Sequence, residues 1–217
     1  CGLQGSFVMY TGGTDDRKNL PRLIQAYAQL PIHIRQTHQL VLVGKIDQST
    51  QTTFKALAKK YGLEPHELCL VGYVSSEELI QLYNLCSLFV FPSWHEGFGL
   101  PALEAMACGA PVIGANNSSL PEVIDYAEAL FDPFQVEDKM RHVLEEPSFA
   151  QQLREHGLQR APLFSWDETA KKTWQVWEKA AKPQASLPAT KPKLAFVAPL
   201  QPERTGIADY STELIPA

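Results

Sequence analysis

The stretch that decides the fold runs Leu88-Phe89-Val90-Phe91-Pro92-Ser93-Trp94-His95-Glu96-Gly97-Phe98-Gly99-Leu100-Pro101-Ala102-Leu103-Glu104. Four consecutive apolar residues without polar alternation read as a strand buried on both faces, and Pro92 stops it. A loop of small and polar residues follows. Pro101 then sits where a helix tolerates proline, in its first turn, and Gly109 ends that helix. A fully apolar strand passing through a glycine-bearing loop into a helix is one unit of a parallel sheet.

The same rhythm extends in both directions. Toward the N-terminus, Phe7-Val8-Met9-Tyr10 precedes a Gly-rich turn and a helix opening near Asn19, with Pro21 early and Leu23, Ile24, Tyr27 and Ala28 on one face. Leu40-Val41-Leu42-Val43 ends at Gly44, and a helix through Phe54, Leu57, Ala58 and Tyr61 stops at Gly62. Cys69-Leu70-Val71 is a third strand, and Ser75-Ser76-Glu77-Glu78 has the form of a capping box opening a helix with Leu79, Leu82 and Tyr83. Toward the C-terminus, Pro111-Val112-Ile113-Gly114 is another strand, Pro121 opens a short helix, and from Val136 to Ala181 the pattern is helical only. Within that region Ser165-Trp166-Asp167-Glu168 is a second capping box, and Trp166, Trp174 and Trp177 are expected to be packing residues. The fold class is therefore α/β, a Rossmann-like doubly wound parallel sheet with C-terminal helices.

Composition bounds the function. Across 217 residues, 45% apolar and 20% charged is an ordinary globular balance, and 19 Lys+Arg against 24 Asp+Glu give a net charge of -5 without a basic stripe, which argues against a nucleic-acid partner. No apolar run reaches the roughly 18 residues of a membrane span. Cys1, Cys69, Cys86 and Cys108 lack paired spacing, so zinc is unsupported and they read as small buried hydrophobes in a reducing compartment. The start, Cys1-Gly2-Leu3-Gln4-Gly5, reads as a cut end without a signal peptide. Residues 1–182 form the expected domain, 183–192 are Pro-rich and read as a linker, and 193–217 begin a second α/β unit at Leu194-Ala195-Phe196-Val197-Ala198. The expectation is a piece of a longer polypeptide.

Sheets of this class bind ligands where strands lead into helices. In Gly12-Gly13-Thr14-Asp15-Asp16-Arg17-Lys18-Asn19, glycines allow close backbone approach and Lys18 precedes a helix start, which suits a phosphate. A tight turn with an Asn cap and solvated charges fits that loop equally well. The deciding stretch carries Glu96 in its loop and Glu104 one turn into its helix, with the amides of Gly97, Phe98 and Gly99 at the helix start and Leu100 beside them. Two carboxylates beside an anion-binding helix start make sense if they accept hydrogen bonds from sugar hydroxyls. For Glu104 alone, stabilising the helix dipole is the plain alternative. Ala115-Asn116-Asn117-Ser118-Ser119-Leu120-Pro121-Glu122 is a third small-residue loop, whose two formal N-glycosylation patterns we discount. Val71-Gly72-Tyr73-Val74 offers backbone groups to the edge of a base.

At this point the chain resembles a known family. Glu96-Gly97-Phe98-Gly99-Leu100-Pro101-Ala102-Leu103-Glu104 is similar to the E-x7-E signature of family-4 retaining glycosyltransferases with the GT-B fold. The Arg17-Lys18-Asn19 string, the Val71-Gly72-Tyr73 turn and the Ser119-Leu120-Pro121-Glu122 turn resemble that family's other markers in the right order. The likeness spans about residues 7 to 180 and corresponds to the C-terminal, nucleotide-sugar-binding half; the tail resembles the start of the acceptor half of a following enzyme. The resemblance implies that Glu104 holds ribose hydroxyls and Glu96 those of the donor sugar. Gly12, Gly13, Arg17, Val71, Tyr73, Gly97, Phe98, Gly99 and Leu100 complete the donor site, and Lys18 neutralises charge on the departing diphosphate. No metal and no other cofactor is implied. The family often has an arginine beside its first glycine where this chain has Gly13, so Arg17 or the amides would take that role.

The implied reaction is retaining hexosyl transfer from a GDP- or UDP-sugar to a glycan or lipid-linked glycan. A Tyr10-Thr11-Gly12-Gly13 start resembles bacterial surface-polysaccharide mannosyltransferases and inclines the donor toward GDP-mannose. The resemblance places the chain in the cytoplasm, leaves open peripheral docking of the full-length protein on the inner membrane face, and makes the missing N-terminal half a partner without which this piece is expected to bind donor but transfer little or nothing. Rival readings are another GT-B nucleotide-sugar enzyme, such as an epimerase or a glycogen synthase-like protein, and a non-catalytic docking module. A nicotinamide dehydrogenase is rejected, because Gly12-Gly13-Thr14-Asp15-Asp16-Arg17 lacks the G-x-G-x-x-G pattern.

Overall fold

The computed structural model describes residues 2–181, so the expected linker and tail lie outside the described residues. Six strands, β1 (Ser6–Thr11), β2 (His38–Val43), β3 (Leu68–Gly72), β4 (Leu88–Phe91), β5 (Val112–Ala115) and β6 (Leu130–Phe131), form one parallel sheet in the order β3-β2-β1-β4-β5-β6. The register runs from Ser6 opposite His38 to Thr11 opposite Val43, and Val8 and Met9 lie opposite Leu88 and Phe89. The central strands are shut off from solvent on both faces, as their uninterrupted apolar runs require.

Nine α-helices are described: α1 (Leu20–Gln29), α2 (Ile32–Arg35), α3 (Gln48–Lys60), α4 (Ser76–Leu85), α5 (Leu100–Ala107), α6 (Leu120–Ile124), α7 (Val136–Glu145), α8 (Pro147–Arg160) and α9 (Trp166–Ala181). From β1 the chain steps outward through β2 to β3, then crosses back to β4 and steps the other way. Right-handed crossovers taken in opposite directions put their helices on opposite faces of the sheet. Accordingly α1 packs with α3 and α7, while α5 packs with α4, α6 and α8.

The local signals act as read. Pro21, Pro101 and Pro121 each stand at the first or second position of their helices. At α4 the Ser75 hydroxyl accepts from the Glu78 amide while the Glu78 carboxylate accepts from the Ser75 amide. The Ser165 hydroxyl accepts from the amides of Asp167 and Glu168. Two features were not read: the single-turn α2, and β6, whose two residues are too short to show a period.

Two expectations need correction. Trp166, Trp174 and Trp177 are not core residues; they are 80%, 60% and 63% exposed, and none of the residues of α9 is buried. The cysteines are not uniform either: Cys69 and Cys86 are buried in the core as expected, whereas Cys108 is only half-buried.

Candidate functional site

The strand order reverses between β1 and β4, so the loops leaving those two strands flank the crevice where doubly wound sheets take ligands. The backbone there is crowded. A Cβ on Gly44 would come within 2.2 Å of the Gly12 carbonyl oxygen, so no side chain fits where the β1 and β2 ends approach. The Tyr10 hydroxyl donates to the Gly13 carbonyl at 2.8 Å and fixes the turn. Burial, with the negative charges of Glu96 and Asp15 adding to it, raises the phenol well above its ordinary range and keeps it a donor.

The first loop is then sewn to the β4–α5 loop. A 3-10 turn over Asp16–Lys18 leads to Asn19, whose backbone is left-handed at φ 56°. Asn19 is buried, and its side chain does not cap α1; it donates to the Pro92 carbonyl at 3.1 Å. That corrects the Asn-cap alternative. The Trp94 amide donates to the Arg17 carbonyl at 2.7 Å. These links bring the Lys18 ammonium to Glu96, Nζ to Oε1 2.7 Å, with side chains only 15% and 11% exposed. Arg17, in contrast, is held by the exposed Asp15 at 2.8 Å and is not brought to Glu96.

The third loop braces the second. The Ser118 hydroxyl accepts from the Glu96 amide at 3.0 Å, and the Ser119 hydroxyl donates to the carbonyls of Glu96 and Phe98 at 3.1 and 2.8 Å. Asn117 donates its amide to the Ser93 carbonyl at 3.2 Å. With those carbonyls occupied, the amides of Gly97, Phe98 and Gly99 find no acceptor among the described residues. They stand at the N-terminus of α5, where such donors and the helix dipole favour an anion. Gly99 is required at that cap, since its φ is +103° and a Cβ would lie 2.7 Å from Leu120 Cδ2. The Ser93 hydroxyl in the same loop is fully buried without a partner.

Glu104 sits on α5 and accepts a hydrogen bond from the buried Tyr83 hydroxyl at 2.9 Å. Phe98 rests edge-on against Phe164, and Leu100 is partly exposed. At the start of α5 an apolar groove of about 310 Å³ is lined by Phe98, Leu100, Leu103, Phe164 and Trp166, and neither Lys18 nor Glu96 lines it. Val71 and Tyr73 lie at the end of β3, two strands from β1, with the Tyr73 ring 84% exposed. Of the residues singled out in the sequence, the structure thus couples Lys18 to Glu96 and places the Gly97–Gly99 amides in the same loop. Among the described residues no side-chain contact draws Arg17 or Tyr73 into that cluster.

Sequence reasoning missed Tyr83, Asn19 as a strut, and the bracing by Ser118 and Ser119. For Tyr83 the only signal was a tyrosine on an apolar helix face, which reads as core.

Fold and site together define one half of a GT-B architecture, a doubly wound domain with its polar groups gathered at the switch point. The chain belongs to the group 1 glycosyl transferases, whose family model matches residues 4–160. It is 43% identical over 171 residues to the serotype-specific mannosyltransferase WbdA of Escherichia coli, a match covering 77% of this chain and 21% of that protein. It is 36% identical over 175 residues to the O-antigen chain mannosyltransferase B of the same organism, covering 79% of this chain and 45% of that one. Among solved structures, the sucrose-phosphate synthase of Thermosynechococcus elongatus superimposes with a TM-score of 0.70 at 30% identity, over 81% of this chain and 45% of that chain. The chain therefore spans between a fifth and a half of the length of these proteins.

Proposed function

We propose that this chain is the donor-binding half of a retaining hexosyltransferase that takes a nucleoside diphosphate sugar, with GDP-mannose as the favoured donor. The observation that carries the reading is the Lys18–Glu96 pair beside three free amides at the start of α5. A diphosphate needs donors and countercharge, which the amides and Lys18 supply without a metal ion. Hydroxyls of ribose and hexose need acceptors, which Glu104 and Glu96 supply. Two mannosyltransferases among the relatives support the sugar.

In the proposed reaction, the bond between the anomeric carbon and the diphosphate oxygen breaks as the acceptor oxygen bonds to the same face of that carbon. The acceptor hydroxyl gives up its proton and the nucleoside diphosphate leaves. Lys18 and the α5 amides face the charge that builds on the leaving group, the kind of electrostatic term that usually dominates catalysis. A glycan or lipid-linked glycan acceptor would be held by a second half. Among the described residues no helix is long and apolar enough to cross a membrane, and peripheral docking of the longer protein belongs to the same proposal. The tail at 193–217 is proposed as the start of a following enzyme.

Calorimetric titration of the chain with GDP and with UDP tests the reading. One nucleotide should bind, and Glu104→Ala should weaken it. A ligand at 100 times its Kd should also raise stability by about 2.7 kcal/mol, seen as a higher melting temperature. Binding of neither nucleotide would favour a docking module, and robust transfer by this chain alone would overturn the assignment of half a catalytic site.

A further inference from the structure

We propose that Tyr83 is a positioning residue that holds Glu104 for a vicinal diol, so that the chain's preference for a ribonucleotide over one lacking ribose hydroxyls depends on the Tyr83 phenol. The inference rests on the reading of the chain as a nucleotide-sugar-binding domain and specifies how that site selects its sugar ring.

The two glutamates of the site are satisfied in different ways. Glu96 has a cation, Lys18, at 2.7 Å. Glu104 has none: among the described residues no cation lies within ion-pair distance of it. Its one side-chain partner is a neutral hydroxyl, Tyr83, bonded to Oε2 at 2.9 Å. A carboxylate in that condition keeps Oε1 and its negative charge for other donors, and neutral hydroxyls meet it without displacing a salt bridge.

Tyr83 is built to hold still. It lies in the last turn of α4 with 1% of its surface exposed, and its ring meets Phe89 of the central sheet edge-on at 5.5 Å between centroids. Glu104 projects from α5 into solvent, where a free glutamate would sample several rotamers. One bond from a rigid phenol to Oε2 restricts that freedom and leaves Oε1 without a partner among the described residues. Burial and the adjacent Glu104 charge raise the phenol well above its ordinary range, so it is a donor at neutral pH.

The test compares the nucleoside diphosphate that binds best with its 2′,3′-dideoxy form, by calorimetry, on the wild-type chain and on Tyr83→Phe. The wild type should favour the ribonucleotide by about tenfold or more, the worth of hydrogen bonds to a carboxylate. Tyr83→Phe keeps the ring and its contact with Phe89, so the fold should survive. The variant should bind the ribonucleotide several-fold more weakly while the dideoxy form is unchanged, reducing the preference to about threefold or less. A purely structural role for Tyr83 would weaken both ligands alike and leave the ratio intact, and that result overturns the inference. Tyr83→Met, which also lacks the hydroxyl but fills the slot, gives the same comparison should the phenylalanine variant not fold. Failure of the wild type to bind either nucleotide would instead overturn the parent reading, and this inference with it.

Discussion

Glu96→Gln is the most informative single substitution, because it separates the two jobs proposed for the loop. Lys18 and Glu96 form a charge-assisted bond of 2.7 Å with most of both side chains out of water. Such bonds contribute about 1.5–3 kcal/mol net. Glutamine keeps an oxygen that can accept from the ammonium, so the substitution removes only part of that, about 1–2 kcal/mol. Stability should fall by an amount of that order, or about 2–6 °C in melting temperature for a domain of this size. A diphosphate entering the cleft competes with Glu96 for Lys18, and the same 1–2 kcal/mol no longer opposes it. Nucleoside diphosphate binding should therefore tighten by about tenfold, since 1.4 kcal/mol is one factor of ten. The nucleotide sugar should gain less, because the variant also loses the acceptor proposed for the hexose hydroxyls. The assay is calorimetric titration of both ligands at fixed salt, since screening weakens the charge terms. A weaker or unchanged Kd for the nucleoside diphosphate would show that Lys18 does not meet the phosphates, and the reasoning from this pair would fail.

Two further outcomes follow from local geometry. Gly99→Ala forces a side chain into a backbone at φ +103° and against Leu120 Cδ2, so it should cost about 1–3 kcal/mol in urea unfolding and weaken nucleotide binding; unchanged values for both would show that the α5 start is not fixed as described. Burial lowers the pKa of His38 from its ordinary 6.5, so the folded state prefers the neutral ring. The unfolded chain then takes up the proton first as pH falls through 6.5, and the stability that His38 contributes above that pH is lost progressively below it. The urea midpoint of the wild type should drop between pH 7.5 and 5.5, and His38→Gln should flatten that drop; an identical slope would remove His38 as its source.

Legibility divided along a physical line. The sheet was readable because its strands, such as Leu40–Val43 and Leu88–Phe91, are apolar throughout and separated by capped or proline-opened helices, all of them local signals. Lys18 and Glu96 stand out in sequence as charged residues in loops at strand ends, and Glu104 as a carboxylate one turn into the helix that follows; that the first two meet is a tertiary fact. The tryptophans of α9 failed for the converse reason: helical spacing of large apolar residues says that a face wants burial, not what covers it, and here it is exposed among the described residues. Asn19 shows a subtler limit. Its position before a helix fits a cap, but its left-handed backbone turns the side chain toward Pro92, 73 residues away, and nothing local in sequence predicts that partner.

The same limit explains why the site's order escapes a linear reading. The β4–α5 stretch alone carries an electrostatic conflict for the proposed diphosphate, since two carboxylates stand beside the helix start whose amides would attract an anion. The fold resolves it by cross-loop contacts. The Asn19 and Trp94 bonds bring Lys18 to Glu96, so that carboxylate already has a cation at 2.7 Å with no ligand bound. The Ser119 hydroxyl of the third loop occupies the carbonyls of Glu96 and Phe98, and the amides of Gly97, Phe98 and Gly99 stay free among the described residues. Tyr83 ties Glu104 through a neutral hydroxyl rather than a cation. A diphosphate arriving there would meet three amides and a cation shared with one glutamate, while the other glutamate remains free to accept hydroxyls.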